Sequence, residues 1–281
     1  MLIDLHAHSN ISDGTEPPGQ LIDSAVAAGL DVVALTDHDQ TTGWHEARAR
    51  AVERGIGFVP GMEITCHSRT GISVHLLSYL HDPTYKPLLD ELEVTRTARK
   101  YRAQRIVGLL SEDYPISWEL VQEHTQPGTT VGRPHIADAL VTAGVVGTRE
   151  EAFASMLSSR SRYYVSHPAV YPVDAVRLVR EAGGVPVFAH PMASARGRVV
   201  PPEDFEELIE AGLAGLEIDH RDNSEPGRKF LRELAQRHDL IITGSSDYHG
   251  AGKPNRLGEN STDPQMLQRI LSAGTGSPAS M

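Results

Sequence analysis

The stretch Met1-Leu-Ile-Asp-Leu-His-Ala-His-Ser-Asn-Ile-Ser-Asp-Gly-Thr15 decides how the rest of the chain is read. An apolar run from Leu2 to Leu5 leads into His6-Ala7-His8, and a polar, turn-prone segment ends at Asp13-Gly14. If Leu2 to His8 is a strand, His6 and His8 lie two positions apart and point to the same side. Two imidazoles at a strand end form an open pair of metal ligands, and Asp13 can add a hard oxygen to the same mouth. The plainer alternative is a buried first strand with two polar residues at its end. The choice depends on whether similar residues recur at other strand ends.

They recur. Pro17 to Gly29 reads as a helix, with Pro17-Pro18 at its start, Leu21, Ile22, Ala25 and Val26 on one stripe, and Gly29 at its end. Asp31 to Thr36 is a continuous apolar strand of the kind buried on both faces of a parallel sheet, and it stops at Asp37-His38-Asp39. A helix over Thr42 to Arg54 precedes a strand over Gly57 to Cys66 that carries Glu63; a strand over Gly71 to Leu80 carries His75. This alternation predicts a parallel α/β domain.

From Pro83 to Pro168 no strand is expected. Helices are predicted instead over Leu88 to Ser111, Trp118 to His124, Pro134 to Ala143 and Arg149 to Leu157. The alternation then resumes with a helix over Val173 to Ala182 and a strand over Val185 to His190. Helices over Glu203 to Ala211 and Pro226 to His238 flank a strand over Gly215 to Asp219, which is followed by His220. A strand over Leu240 to Gly244 runs into Ser245-Ser-Asp-Tyr-His-Gly250. A last helix, Pro264 to Ser272, leads to a Gly/Ser-rich tail expected to be disordered. The organisation predicted is a barrel built from residues 1–83 and 170–281, with a helical insertion over 84–169 capping it.

The chain has 281 residues, a length typical of one α/β barrel, and 40% hydrophobic residues, which is ordinary for a globular domain. A net charge of −11 argues against broad binding to duplex DNA, while a small anionic substrate held by metals stays open. With Cys66 as its single cysteine the chain has neither a disulfide framework nor a thiolate zinc site. No apolar run approaches a membrane span, so no membrane association is expected and cytoplasm is the expected compartment.

Collected from the strand ends, His6, His8, Asp13, His38, Glu63, His75, His190, Asp247 and His249 make nine potential ligands. In a parallel barrel the C-terminal ends of all strands gather on one face, where active sites sit. Nine ligands exceed one ion and suffice for two or three bridged by a carboxylate. Their N and O donors suit Mn, Fe or Zn without ranking them.

As a set, D-L-H-A-H-S-x-x-S-D-G at the start, T-D-H-D at 36–39, G-M-E at 61–63, His75, A-H-P at 189–191 and S-D-Y-H-G at 246–250 resemble the PHP (polymerase and histidinol phosphatase) family. The resemblance covers residues 1 to about 80 and about 170 to 260. It implies a distorted (β/α)7 TIM-like barrel with a trinuclear metal centre and phosphoester hydrolysis. The G-R-P-H-I-A stretch at 132–137 further resembles the branch holding nucleoside 3′,5′-bisphosphate phosphatases and the RNase AM 5′→3′ exoribonuclease. The substrate implied is thus a small nucleotide bisphosphate, with AMP as product and short RNA as an extension.

By that resemblance His6, His8, Glu63 and Asp247 hold a first ion; Glu63 bridges to a second with His75 and His190; and Asp13, His38 and His249 hold a third. The nucleophile expected is a hydroxide bridging two ions, so no serine, cysteine or histidine nucleophile is needed. Glu63, Asp247 and His190 are therefore catalytic as well as ligating, and His220 is expected to face the site as a proton donor or phosphate contact. Asp37 and Asp39 read as orienters of their neighbours, with a solvated loop acid an equal reading for Asp39.

For a second phosphate, Arg133 and His135 are the candidates by resemblance, followed by Arg160 and Arg162. Arg198 and Ser9 complete the candidate substrate contacts, with Arg196 beside Arg198 on the same loop. Arg96, Arg99, Lys100, Arg102 and Arg105 on the long helix read as a charged, solvated face. Tyr163, Tyr164 and Tyr171 could stack a base but read first as core or rim packing, and His67 and His167 read as surface or packing residues. Three other functions remain open: a histidinol-phosphatase-like or general phosphatase, amidohydrolase chemistry on a similar H-x-H barrel, and a non-catalytic metal-bound scaffold. Amidohydrolases often bridge metals with a carboxylated lysine, whereas Lys86, Lys100, Lys229 and Lys253 here all lie outside the expected strands.

Overall fold

The computed structural model describes residues 1–281, Ala195 excepted. Seven strands form one sheet in chain order: β1 (Ile3–Asp4), β2 (Val32–Leu35), β3 (Gly57–His67), β4 (Ser73–Tyr79), β5 (Val185–Phe188), β6 (Gly215–Asp219) and β7 (Ile241–Gly244). A parallel bridge between Ala7 and Tyr248 closes the two edges, with His8 N donating to Tyr248 O at 2.8 Å. The result is a distorted TIM-like barrel.

Its outer layer is α1 (Pro18–Ala27) and α2 (Trp44–Arg54) on one side, and α7 (Pro172–Glu181), α8 (Pro202–Glu210) and α9 (Glu225–Arg237) on the other. Each helix presents an apolar stripe. Leu21, Ile22 and Ala25 of α1 pack with Ala47 and Ala51 of α2 over Val33 and Leu35. Val173, Val176 and Val179 of α7 pack with Phe205 and Leu208 of α8 and with Leu231 and Leu234 of α9. At 25 cal/mol per Å², each fully buried Leu or Val contributes about 1.5–3 kcal/mol.

Two expectations are corrected. β4 is antiparallel to both β3 and β5. The link from His67 to Ser73 is far too short for the crossover that a parallel pair requires, so β3 and β4 form a hairpin turning at Gly71, whose φ is +71°. The C-terminal tail is ordered. Ser280 pairs with Phe58 in both directions (2.6 and 2.9 Å), Ser277 N donates to Leu80 O at 2.7 Å, and Arg48 holds Pro278 O and Ser280 Oγ. Together with α10 (Pro264–Ala273), whose Leu267 and Ile270 join the inner core, the tail covers the end of the barrel opposite the ligand-bearing loops.

The insertion follows β4. It consists of α3 (Lys86–Leu110), α4 (Trp118–Gln122), α5 (Arg133–Thr142) and α6 (Arg149–Ala154). Ala103, Ile106, Leu110, Val121, Ile136, Leu140, Leu157 and Val165 give it a core of its own, while Leu88 and Leu92 at the start of α3 pack on the barrel.

Candidate metal centre

His6, His8, Asp247 and His249 occupy alternate positions on the two segments that close the barrel. Ala7 and Tyr248 between them turn outward against α1, so the four polar side chains face inward. The segments pass close to each other and turn sharply. A Cβ on Gly14 would lie 2.2 Å from His8 O, so that turn requires glycine. Asp39, His190 and Asp247 hold positive φ values of 57°, 32° and 55°. Non-glycine residues in this region are strained, and here the strain concentrates at the mouth of the barrel.

All nine expected ligands converge, seven of them buried and His75 and His190 partly exposed. His6 Nε2 and His8 Nε2 are 3.0 Å apart, 3.3 and 3.1 Å from Glu63 Oε2, and each 3.5 Å from Asp247 Oδ1. Four donors at about 2.1 Å from a tetrahedral ion stand about 3.4 Å from one another, so this quartet has the spacing of a ligand shell. Glu63 Oε1 lies 2.8 Å from His75 Nδ1 and 3.1 Å from His190 Nε2, which lets the carboxylate bridge two groups. Asp13 is 3.2 Å from His249 Nε2, 3.7 Å from His8 Nδ1 and 3.8 Å from His38 Nε2. His38 Nδ1 is also 3.4 Å from Glu63 Oε2, so this ring stands between two groups of ligands. Buried His38 Nδ1, His75 Nδ1 and His249 Nε2 have no aligned hydrogen-bond partner, as lone pairs directed at a cation would not.

Polar neighbours fix the ligand tautomers. His6 Nδ1 donates to Glu217 Oε1 at 2.9 Å and His249 Nδ1 to Asp247 O at 2.8 Å, so the neutral form of each ring offers Nε2 as the ligand atom. Burial alone would lift the Glu217 carboxyl, but His6, His220 and His190 hold it down to about 2. Burial and the nearby Arg196 depress His190 to about 3; burial and Lys253 depress His249 to about 4, so both rings are neutral. Burial also opposes charge on His6, but Glu217, Glu63 and Asp247 overcome it and raise the ring well above its ordinary value. A divalent cation binding there must displace that proton.

His220 differs from the others. Its Nδ1 accepts from Asp222 N at 3.1 Å, so Nε2 carries the hydrogen, 3.7 Å from Asp247 Oδ2. Asp37 accepts from Ser9 N (2.8 Å), Ser9 Oγ (2.6 Å) and Ser12 Oγ (2.7 Å). Asp39 is fully buried, not solvated; it accepts from Thr65 N and Oγ1 and pairs with Arg99 at 3.2 Å.

The candidate substrate contacts divide. Arg133 is mostly buried, donates to Leu157 O at 3.0 Å and lies over Phe153. His135 is buried, with Nδ1 accepting from Gly132 N. Ser9 does not face the centre, because its buried hydroxyl is used by Asp37 and Ile11 N. Arg162 turns outward to Asp113 and Tyr163, exposed Arg198 donates to Thr70 O, and Arg160 is exposed. Arg196 reaches the centre instead, with Nη2 2.6 Å from Asp247 Oδ2, where Lys253 Nζ also lies at 3.0 Å. Glu217, Arg99 and Lys253 were not singled out as site residues from the sequence. Glu217 left the clearest signal, an acid flanked by Leu216 and Ile218 inside the strand Gly-Leu-Glu-Ile-Asp.

A barrel mouth lined by clustered N and O donors is the frame of a metal-dependent hydrolase. The PHP domain model matches residues 4–146, so the chain belongs to the PHP domain family and is a metal-dependent phosphoesterase. It is 32% identical to a 3′,5′-nucleoside bisphosphate phosphatase of Chromobacterium violaceum over 90% of this chain and 89% of that one. It is 30% identical to a phosphoribosyl 1,2-cyclic phosphate 1,2-diphosphodiesterase of Eggerthella lenta, over 89% of this chain and 95% of the relative. A solved structure from Bifidobacterium adolescentis, described as a metal-dependent phosphoesterase, superposes with a TM-score of 0.95 at 44% identity and covers 97% of this chain and 96% of its own.

Proposed function

We propose that this chain removes the 3′-phosphate of nucleoside 3′,5′-bisphosphates, leaving the nucleoside 5′-monophosphate (AMP from the adenosine compound), and that it also trims short 5′-phosphorylated RNA. The observation that carries this reading is a cluster of cationic side chains beside the ligands. Arg99, Arg102 and Arg133 come together there with His67 and His167. Among the described residues no carboxylate pairs with Arg102 or Arg133, and burial depresses both guanidinium groups, with Arg133 and Arg99 adding to it at Arg102 and Arg99 at Arg133. Burying unpaired cations is unfavourable, and a bound anion offsets it. Glu63, Thr65 and His67 share one face of β3, which puts His67 about 13 Å along the strand from the bridging carboxylate. A substrate with two anionic groups fits the pair of sites better than a simple monophosphate. The insertion (84–169) carries ten basic and ten acidic residues, leaving the whole net charge of −11 on the barrel. Similarity to the C. violaceum phosphatase supports the same substrate class.

In this reading two or three divalent ions (Mn, Fe or Zn) are held by His6, His8, Asp13, His38, Glu63, His75, His190, Asp247 and His249. When bound they supply an activated water and neutralise phosphoryl charge. Glu217 holds His6 in its ligating tautomer. His220 presents an Nε2 proton to the leaving oxygen, and Arg196 is near enough to pair with a phosphoryl oxygen once Asp247 ligates. Arg133 and Arg102 grip the second phosphate, and His135 supports the helix start that carries Arg133. A cytoplasmic location belongs to the proposal; among the described residues no helix is long and apolar enough to cross a membrane.

The test is phosphate release with Mn²⁺ from 3′,5′-bisphosphoadenosine, AMP and p-nitrophenyl phosphate side by side. A strong preference for the bisphosphate, with 5′-AMP as product, is expected. Equal rates on all three would make the chain a general phosphatase. No release from any of them by the metal-loaded protein would turn attention to phosphodiesters or to a non-catalytic role.

A further inference from the structure

Besides the packing of α3 on the barrel and its Arg99–Asp39 pair, the insertion touches the barrel at three points that each lie within three residues of a ligand. Gln40, two residues after His38, is buried and its Nε2 donates to Ile11 O (2.6 Å) and Thr130 Oγ1 (2.9 Å), with Gly128 O at 3.2 Å. Thr130 N donates to Ile11 O (3.1 Å) and Thr129 Oγ1 to Asn10 O (3.2 Å), so segment 128–130 lies against the loop that carries Asp13. Arg149 opens α6 and is clamped by Asp138 of α5 at 2.5 and 2.6 Å. Its Nη1 reaches Asp13 O at 3.5 Å and Gly252 O, three residues after His249, at 3.4 Å.

The remaining ligands are held by the barrel. His6 and His190 are tied to Glu217 of β6, while Glu63 and His75 sit inside paired strands. The ligands therefore form two classes. One is built by the sheet; the other, Asp13, His38 and His249, lies past the strand ends, where isolated bridges (His38 to Glu63, His249 to Ala251) continue the pairing and where the insertion makes contact.

We propose that the docked insertion is a structural part of the ion site formed by Asp13, His38 and His249, with Gln40 and Arg149 as its positioning residues. This rests on the three-ion reading above. Three loops must be ordered before their ligands can converge, and fixing each residue's backbone costs about 1–2 kcal/mol. The contacts of Gln40, segment 128–130 and Arg149 meet part of that cost in advance. By linkage, the ion that occupies this site stabilises the docked insertion by as much as docking strengthens the ion.

Equilibrium dialysis against graded Mn²⁺, read by elemental analysis, tests this on the full chain. Wild type is expected to take up three ions. Arg149→Met and, separately, Gln40→Leu are expected to keep two ions at wild-type affinity and to bind the third ten- to a hundredfold more weakly. Arg105→Met, on the exposed side of α3, is expected to keep all three unchanged. Limited proteolysis supplies a second readout: Mn²⁺ should protect the insertion in wild type and lose that effect in the two clamp variants. Three ions in wild type, with an unaltered third in both clamp variants, overturn the inference alone. Parallel weakening of all three overturns it as well. Two ions in wild type overturn the three-ion reading and the inference with it.

Discussion

Replacing Glu217 with glutamine tests the centre through a residue that touches no substrate. Both carboxylate oxygens accept hydrogen bonds in a fully buried position, Oε1 from His6 Nδ1 and Oε2 from His190 N. Glutamine keeps the shape but turns one oxygen into an NH₂ group, which must face one of these two donors. The His190 amide has no alternative state, whereas His6 can move its hydrogen to Nε2. The ring then accepts from the new amide, and the nitrogen that faces His8, Glu63 and Asp247 no longer has a lone pair for a metal. Losing such a neighbour lowers metal affinity about 10–100-fold, or about 1.4–2.7 kcal/mol. Calorimetric Mn²⁺ titration of Glu217→Gln at neutral pH should show that loss for the most tightly bound ion, with unchanged far-UV circular dichroism. Phosphatase activity should recover in part at high Mn²⁺. Wild-type affinity in this variant would falsify the tautomer lock, and lost activity with intact affinity would move Glu217 to another role.

Arg102→Met should raise KM for 3′,5′-bisphosphoadenosine at least tenfold while leaving p-nitrophenyl phosphate hydrolysis within twofold; equal loss on both substrates would remove Arg102 from recognition. Because the surrounding acids hold a proton on His6 and raise His8 to about 9, metal uptake at pH 7 should release protons and tighten as pH rises. Titration heats that do not vary among buffers of different ionisation enthalpy would refute this. Burial depresses His81 to about 4 from its ordinary 6.5, so the unfolded chain takes the proton first as pH falls. That residue should remove about 3 kcal/mol of stability between pH 6.5 and 4 and nothing above it. Urea melts of His81→Gln should show a correspondingly flatter slope in that window, and an unchanged slope would count against it.

Much of the centre was visible in the sequence because its ligands sit in short local motifs. The H-x-H and D-x-H spacings each place two ligands on one face, and an apolar strand before each motif announces the face of the barrel. Other features were encoded but read too loosely. On α3, Leu88, Leu92, Thr95, Arg99, Ala103, Ile106 and Leu110 recur at helical spacing, and all are buried, which puts Arg99 on the inner stripe instead of a solvated face. Its charge masked its position. The five residues between His67 and Ser73 already excluded a parallel crossover and therefore the direction first assigned to β4. Reversal of β4 explains why His75 is near the beginning of its strand yet stands with residues at the ends of theirs. The approach of Arg196 and Lys253 to Asp247 is of another kind, since it depends on how two distant loops fold over one carboxylate, and no local pattern encodes it.

The bridge between Ala7 and Tyr248 has a consequence for how the chain acquires its activity. It joins residues some 240 positions apart, and the two segments it joins carry four of the nine ligands. Closing so long a loop is entropically late, so the earlier strands and helices must be in place before the seam forms. During synthesis His6 and His8 emerge long before Asp247 and His249 do. Cations then meet these four candidate ligands together only after the later segment has emerged and the seam has closed.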